Sequence, residues 1–272
     1  MTRPTVRHRL GTLSTLSSAI LRSPRRSWQM VRRALSDILD AEFEQRSPLP
    51  PLDPRTMQAL GRFEVVLPPS QVMRPGNQGP DGLRFLVSLA RALDVSTVFE
   101  IGTYNGATAW CLARNLPGCT VHTLDLPPGD RPRLDLLAGD EGNRQVFAEP
   151  VYEALPHEGR VVQEWGDSAD FDFGAWARRV DLVYVDGAHS FSYVRSDSRN
   201  AAAMLAERGA IVWDDYWRRI PDVANAIHGM RDLDVRRVPG TRLAVHLSPA
   251  ARAALSGAAA DPDPSSRSSP RT

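Results

Sequence analysis

The chain has 272 residues, 42% of them hydrophobic, which is enough to bury the core of one α/β domain with appendages. Its formal net charge of +1 gives no electrostatic case for a nucleic-acid partner. No run approaches the roughly 18 apolar residues that span a bilayer, and the N-terminus lacks the apolar segment of a signal peptide, so we expect a cytoplasmic protein. Cys111 and Cys119 are expected to be buried, reduced thiols.

Residues 1–54 predict a basic extension. The first 36 residues contain eight arginines and no acid. Trp28, Val31, Leu35 and Ile38 recur at helical spacing and predict an amphipathic helix, which a proline-rich linker follows up to residue 54. We expect this helix to pack on the domain or on a second copy in a homo-oligomer. The alternative is peripheral contact with an anionic membrane surface.

Residues 55–248 alternate between helical and strand patterns. Between the second and third strands, residues 127–159 are rich in proline, glycine and charge and predict an insertion or a long connection. The tail, 249–272, lacks periodicity and predicts disorder. The predicted elements are helices over 83–93, 171–179, 191–207 and 222–232, strands over 98–101, 120–124, 160–164, 181–185 and 209–213, and a hairpin of 234–239 with 241–247 across Pro239-Gly240.

This alternation predicts an α/β fold: a Rossmann-like, seven-stranded, mostly parallel sheet with helices on both faces and an antiparallel C-terminal hairpin. Ligands of such sheets bind beyond the carboxyl ends of the strands. Like charges clustered there repel one another unless a ligand or an ion compensates them. Acidic residues gather at these ends: Glu100, Asp125, Asp167, Asp186, Asp214 and Asp215.

The segment 97–110 reads as a strand, a turn with Gly102 and Gly106, and a helix start. Its spacing, Glu-x-Gly-x-x-x-Gly, differs from the Gly-x-Gly-x-x-Gly that seats a dinucleotide pyrophosphate. An acid before the first glycine repels phosphate and suits a cationic ligand. S-adenosylmethionine, with its positive amino and sulfonium groups, fits this requirement.

The chain resembles the class I S-adenosylmethionine-dependent methyltransferases. It is most similar to the small-molecule O-methyltransferases of the cephalosporin-hydroxylase and macrocin types. The resemblance covers roughly residues 70–247 and implies a methyltransferase domain over 55–248. It rests on Phe-Glu-Ile-Gly-Thr-Tyr-Asn-Gly, Thr-Leu-Asp-Leu, Gly-Asp-Ser, Val-Asp-Gly-Ala-His-Ser and Ile-Val-Trp-Asp-Asp-Tyr, in this order.

The resemblance implies a cofactor-binding set. Asp125 would accept hydrogen bonds from the ribose hydroxyls, and Asp167 with Ser168 would contact the adenine edge. Capping or turn roles are the structural alternatives for Asp125 and Asp167. The methionine end of the cofactor and its surroundings would involve Glu100, Gly102, Tyr104, Gly106 and Asp186.

The resemblance also implies a catalytic set. Asp186, Asp214 and Asp215 would hold a divalent cation, for which oxygen ligands favour Mg²⁺, and the ion would lower the pKa of the acceptor hydroxyl. The resemblance implies that His189 and Asp186 are catalytic and that His189 is the base. Many similar enzymes carry His in place of the first Asp of the pair, so metal use varies among them. The structural alternative is that the two Asp residues cap a turn and His189 is a structural hydrogen-bonder.

The expected function is therefore transfer of a methyl group from S-adenosylmethionine to a hydroxyl of a small molecule, a sugar or a natural product. Mg²⁺ is expected to assist this reaction. One alternative is an NAD-dependent oxidoreductase on a Rossmann sheet, against which the missing third glycine argues. Another is a non-catalytic binding protein that retains the fold. Methylation of nucleic-acid amino groups is disfavoured because no Asn-Pro-Pro-Tyr-like motif follows the fourth strand and no basic face is evident in the core.

Overall fold

The computed structural model describes residues 24–143 and 149–260. The expectations for residues 1–23 and 261–272 lie outside these residues. The chain separates into two compact units, one ending at Pro48 and the other starting at Leu49. Within the described residues, no helix combines the length and the apolar character needed to cross a bilayer.

The first unit contains the predicted amphipathic helix, α1 (Pro24–Arg46). Its side chains Trp28, Leu35 and Ile38 are exposed. Near its end, Arg46 forms an ion pair with Glu42 at 2.6 Å, one helical turn earlier. Packing of this helix on a second copy or on a membrane stays a prediction.

The second unit is built on one seven-stranded sheet in the order β3-β2-β1-β4-β5-β7-β6. Strands β1 to β5 pair in parallel, and β7 runs antiparallel to both of its neighbours, β5 and β6. This topology confirms the predicted fold class. The strands are β1 (Thr97–Ile101), β2 (Thr120–Asp125), β3 (Arg160–Trp165), β4 (Val180–Val185), β5 (Leu205–Trp213), β6 (Val235–Arg237) and β7 (Ala244–Leu247).

Helices cover both faces of the sheet. Val98 on one face packs with residues of α3 (Pro80–Leu93) and α4 (Ala107–Asn115). Phe99 on the other face contacts the aromatic rings of residues 171–176. Successive side chains of a strand point to opposite faces, so the central strand β1 is buried on both. The helices are α2 (Pro54–Leu60), α3 (Pro80–Leu93), α4 (Ala107–Asn115), α5 (Ala138–Asn143), α6 (Val151–Ala154), α7 (Phe191–Met204), α8 (Pro221–His228) and α9 (Pro249–Ala260).

The segment that follows β7 differs from expectation. Residues 249–260 form helix α9, and its side chains Ala251 and Leu255 are 0% and 1% exposed. The prediction of disorder from residue 249 is therefore wrong for these residues. Alanine-rich sequence is favourable for a helix, and two buried positions four residues apart suffice to anchor this one.

Several element boundaries also differ from expectation. The helix predicted over 171–179 is a single 3₁₀ turn, Phe173–Trp176, while α7 ends at Met204 and β5 begins at once with Leu205. The proline-rich linker is in part ordered, because Leu52 N donates to the carbonyl of Arg237 at 2.9 Å. It thereby covers the edge strand β6. Both cysteines are buried and free, as predicted.

Candidate active site

A cleft of about 450 Å³ opens at the carboxyl ends of the central strands. Parallel strands bring their carboxyl ends to one edge, so residues distant in sequence meet there. Glu100, Gly106 and Asp214 lie outside the lining that the described residues give this cleft. The predicted residues that line it are Gly102, Tyr104, Asp125, Asp167, Ser168, Asp186, His189 and Asp215.

Gly102 stands where two strand ends approach closely. Its φ is +99°, and a Cβ there would lie 2.1 Å from the carbonyl oxygen of Asp186. Asp186 N donates to the carbonyl of Ile101 at 2.9 Å, which holds the ends of β1 and β4 together. Only glycine combines this backbone conformation with this approach.

Glu100 is placed beneath the cleft rather than in its wall. It is 1% exposed, and its carboxylate accepts a hydrogen bond from Thr123 Oγ1 at 2.5 Å. Burial raises the pKa of Glu100 to about 8; the Thr123 hydroxyl opposes this shift and the charge of Asp125 adds to it. The resemblance implies that Glu100 contacts a ligand directly. In this position Glu100 makes no such contact from the wall of the cleft.

Gly106 also has a structural task. It begins α4 with φ +75°, and a Cβ there would lie 2.6 Å from the ring of Tyr152. The glycine therefore allows α6 to pack against the start of α4. Gly106 is not among the described residues that line the cleft.

Asp125 ends β2 and orients the turn after β1. Its Oδ2 accepts from Tyr104 N at 3.0 Å and its Oδ1 accepts from Leu126 N at 2.8 Å. Asp125 also lines the cleft, so a ligand bound there can reach its carboxylate. Tyr104 itself adopts φ +49° and donates its hydroxyl to the carbonyl of Pro75 at 3.0 Å.

Asp167 connects three segments around the cleft. Its Oδ2 accepts from Tyr193 Oη and from Arg133 N, both at 2.7 Å, and its Oδ1 accepts from Ala169 N at 2.8 Å. The residue therefore has the turn-forming role that the sequence left open as an alternative. Neighbouring Ser168 lines the same part of the cleft.

The acids after β4 and β5 lie in a common electrostatic environment. Burial and then the charges of Asp214 and Asp215 raise the pKa of Asp186 well above its ordinary value. Asp186 Oδ2 accepts a hydrogen bond from Tyr184 Oη at 2.9 Å. Burial and Asp215 raise the pKa of Asp214 to about 6, although Arg242 acts against this. Such perturbed carboxyls in a cleft are typical of functional sites.

His189 is held between two carboxylates. Its Nδ1 lies 2.5 Å from Asp140 Oδ1, its Nε2 lies 2.9 Å from Asp215 Oδ2, and its backbone N donates to Asp140 Oδ2 at 2.9 Å. Burial lowers the pKa of His189, but the hydrogen bonds to Asp140 and Asp215 outweigh it and raise the pKa to about 10. The ring is therefore an imidazolium at neutral pH.

Arg242 lies where the sequence led us to expect a metal ion. Its Nη1 is 2.9 Å from Asp215 Oδ1 and its Nη2 is 3.7 Å from Asp214 Oδ2. Within residues 24–143 and 149–260, no group of three or more His, Cys, Asp or Glu side chains is arranged to hold a metal ion. The residues present do not fit the predicted Mg²⁺ site, because each oxygen of Asp215 already faces a cationic side chain.

Two of these residues escaped sequence reasoning. Asp140 lies in the segment 127–159, whose pattern gave no element. Arg242 follows the predicted turn Pro239-Gly240, and antiparallel pairing places Ala244 opposite Trp213, next to the acids. That register was the signal that could have identified Arg242.

Residues 99–216 match the family model of a methyltransferase domain. This segment is similar to methyltransferase domains. It runs from β1 to the residues after β5 and contains every predicted site residue of the cleft, whereas Arg242 lies outside it. The match supports the expected methyltransferase class.

Several solved structures are similar to this chain. The SAH-bound methyltransferase PaMTH1 of Podospora anserina shares 16% identity over 79% of this chain and 95% of its own, with a TM-score of 0.48. The O-methyltransferase TomG of Streptomyces achromogenes, in complex with SAM, shares 17% identity over 77% of this chain and 95% of its own, with a TM-score of 0.45. An O-methyltransferase of Bacillus cereus, in complex with SAH, shares 14% identity over 78% of this chain and 97% of its own, with a TM-score of 0.45. No curated protein matches the sequence.

Proposed function

We propose that the methyltransferase domain methylates a hydroxyl group of a small molecule, a sugar or a natural product, using S-adenosylmethionine. The observation that carries this proposal is one cleft with two chemically different ends. One end has the carboxylates of Asp125 and Asp167 after β2 and β3, and the other has Asp186 and the His189–Asp215 pair after β4 and β5. Gly102 lies where the two ends meet.

The first end suits the cofactor. Asp125 lines the cleft, and an acid after the second strand hydrogen-bonds ribose in other nucleotide-binding sheets. Gly102 lets the ends of β1 and β4 meet beside this part of the cleft. Leu126 and the half-exposed Trp165 offer apolar surfaces for a purine near Asp167 and Ser168.

The second end suits removal of a proton from the acceptor. When bound, S-adenosylmethionine supplies a methyl group on a cationic sulfur. Methylation of a hydroxyl releases a proton, and we propose that the carboxylate of Asp186 takes it. Burial and the neighbouring acids raise the pKa of Asp186, so this group binds a proton more readily than an ordinary carboxylate.

His189 is less suited to the base role that the resemblance implies. A base needs a free lone pair, and both ring nitrogens of His189 face carboxylates. We propose that His189 positions Asp215 and fixes the connection around Asp140 against the cleft.

Calorimetric titration of the purified protein with S-adenosylmethionine, S-adenosylhomocysteine, NAD and NADP tests the cofactor. We expect binding of the first two only, and binding of NAD alone would overturn the proposal. Transfer from radiolabelled cofactor to a panel of alcohols, phenols and glycosides tests the reaction. Asp186→Asn should lower turnover by about 10²-fold or more with little change in cofactor affinity. The exposed Asp81→Asn serves as control.

A further inference from the structure

The acids after β4 and β5 are compensated by cations of the protein itself. Each oxygen of Asp215 faces one of them: Oδ1 lies 2.9 Å from Arg242 Nη1, and Oδ2 lies 2.9 Å from His189 Nε2. Asp214 lies 3.7 Å from the other guanidinium nitrogen. The mutual repulsion that would call for a bound cation is therefore already reduced by two side chains.

Arg242 is held in this position by its surroundings. Tyr216 N donates to the carbonyl of Arg242 at 2.8 Å, so the turn before β7 is tied to the segment after the acids. The guanidinium carbon lies 5.2 Å from the ring centroid of Trp217. A guanidinium stacked on an aromatic ring and paired with carboxylates is pre-organised, and only a third of its side chain is exposed.

We propose that Arg242 is the resident cation of this site and takes the place of a divalent metal ion. If Arg242 replaces the metal ion, methyl transfer needs no metal, and this consequence rests on the proposed function. The exclusion of divalent ions from the site does not rest on it. A divalent ion at these carboxylates would meet the positive charge of Arg242 within a few ångströms. It would also need oxygen atoms of Asp215 that the two cations engage.

The direct test is Mn²⁺ binding, measured by the loss of the free-ion electron paramagnetic resonance signal in the full-length protein with S-adenosylhomocysteine. The wild type should show no saturable binding at the cleft. Arg242→Met removes the charge and keeps much of the side-chain volume, so it should show saturable Mn²⁺ binding with an affinity at least about tenfold above the upper limit set for the wild type. Asp186→Asn introduced into Arg242→Met should weaken that binding again.

Two matched variants separate charge from structure. Arg242→Lys keeps a cation and should keep Mn²⁺ out. Arg219→Met removes a second cation that lies 4.9 Å from the Trp217 ring centroid, and it should leave Mn²⁺ binding as in the wild type. Thermal unfolding and S-adenosylhomocysteine affinity show that each variant is folded.

Saturable Mn²⁺ binding to the wild type that Asp186→Asn abolishes would overturn the proposal. So would unchanged Mn²⁺ binding in a folded Arg242→Met protein, and so would methyl transfer that stops in EDTA and returns with Mg²⁺. Failure of the protein to bind S-adenosylmethionine would count against the proposed function alone, since the Mn²⁺ measurement can be repeated on the protein without S-adenosylhomocysteine, with thermal unfolding as the check that each variant is folded.

Discussion

The Nε2 atom of His189 lies 2.9 Å from Oδ2 of Asp215, while the Nδ1 atom of the same ring lies 2.5 Å from Oδ1 of Asp140. A neutral imidazole has one N–H donor, so it can donate to only one of these carboxylates. The doubly protonated ring satisfies both. This relationship makes His189 a cation that connects the β2–β3 connection to the end of β5.

Protonation of His189 can be followed directly. We expect its ring to stay protonated from pH 6 to 8, because hydrogen bonds to Asp140 and Asp215 hold its pKa near 10 against the effect of burial. His228 and His246 are internal references, since burial lowers the pKa of each. Long-range ¹H–¹⁵N spectra, assigned with a His189→Gln variant, give the measurement. A neutral His189 at pH 7 would refute the assignment.

Stability should depend on pH through the same residue. The pKa of His189 is raised in the folded state, so its contribution is full below the unfolded value of about 6.5 and is lost as the pH rises through about 10. The free energy of unfolding in urea should therefore fall between these pH values more steeply in the wild type than in His189→Gln. Parallel curves for the two proteins would show that the ion pair contributes nothing.

Asp125 is predicted to bind ribose. Asp125→Ala should weaken S-adenosylhomocysteine binding by about 1–3 kcal/mol, because the ribose hydroxyls lose a charged acceptor. The control is Asp135→Ala, which changes an exposed acid in the connection that follows β2. A second comparison isolates the hydroxyl: wild type should prefer adenosine to 2′-deoxyadenosine, and Asp125→Ala should lose that preference. Equal affinities in calorimetry for wild type and Asp125→Ala would place the ribose elsewhere.

The strand-and-turn framework was predictable because its signals are local. Val98, Phe99 and Ile101 form a buried run, and Gly102 follows where the strand must turn under a close approach. The alternation of such runs with helical patterns then fixes which strand ends meet. Sequence reasoning therefore placed most acids of the cleft without any knowledge of their partners.

The partners of those acids were not predictable in the same way. Asp140 is 49 residues from His189, in a segment whose composition indicated only a connection. Arg242 reaches Asp215 because β7 inserts antiparallel beside β5. Ion pairs of this kind depend on tertiary geometry, and without them three acids resemble a metal site. Glu100 was expected beside the ligand for a related reason. The sequence around it does not show that its carboxyl group is buried and hydrogen-bonded to Thr123.

The C-terminal helix should be part of the folded domain. Leu255 is 1% exposed, so Leu255→Ala should destabilise the protein by about 2–5 kcal/mol through loss of buried contacts and an unfilled cavity. Removal of residues 249–272 should be more damaging still, whereas removal of residues 261–272 alone is the matched control and should leave the unfolding midpoint unchanged. Thermal and urea unfolding provide the readout. Equal stability of both truncated proteins would show that α9 does not support the core.

Gly102 should be far less replaceable than another glycine with a similar backbone. Gly118 has φ +85° and open space around its Cα, so Gly118→Ala should cost about 1–2 kcal/mol from the left-handed conformation alone. Gly102 has φ +99°, and a Cβ there would lie 2.1 Å from the carbonyl oxygen of Asp186. Gly102→Ala should therefore cost about 3 kcal/mol or more, because strand ends must separate as well. Urea unfolding measures both variants, and S-adenosylhomocysteine calorimetry should show a loss of affinity for Gly102→Ala alone. Equal unfolding free energies for the two would mean that β1 and β4 do not approach each other closely at this turn.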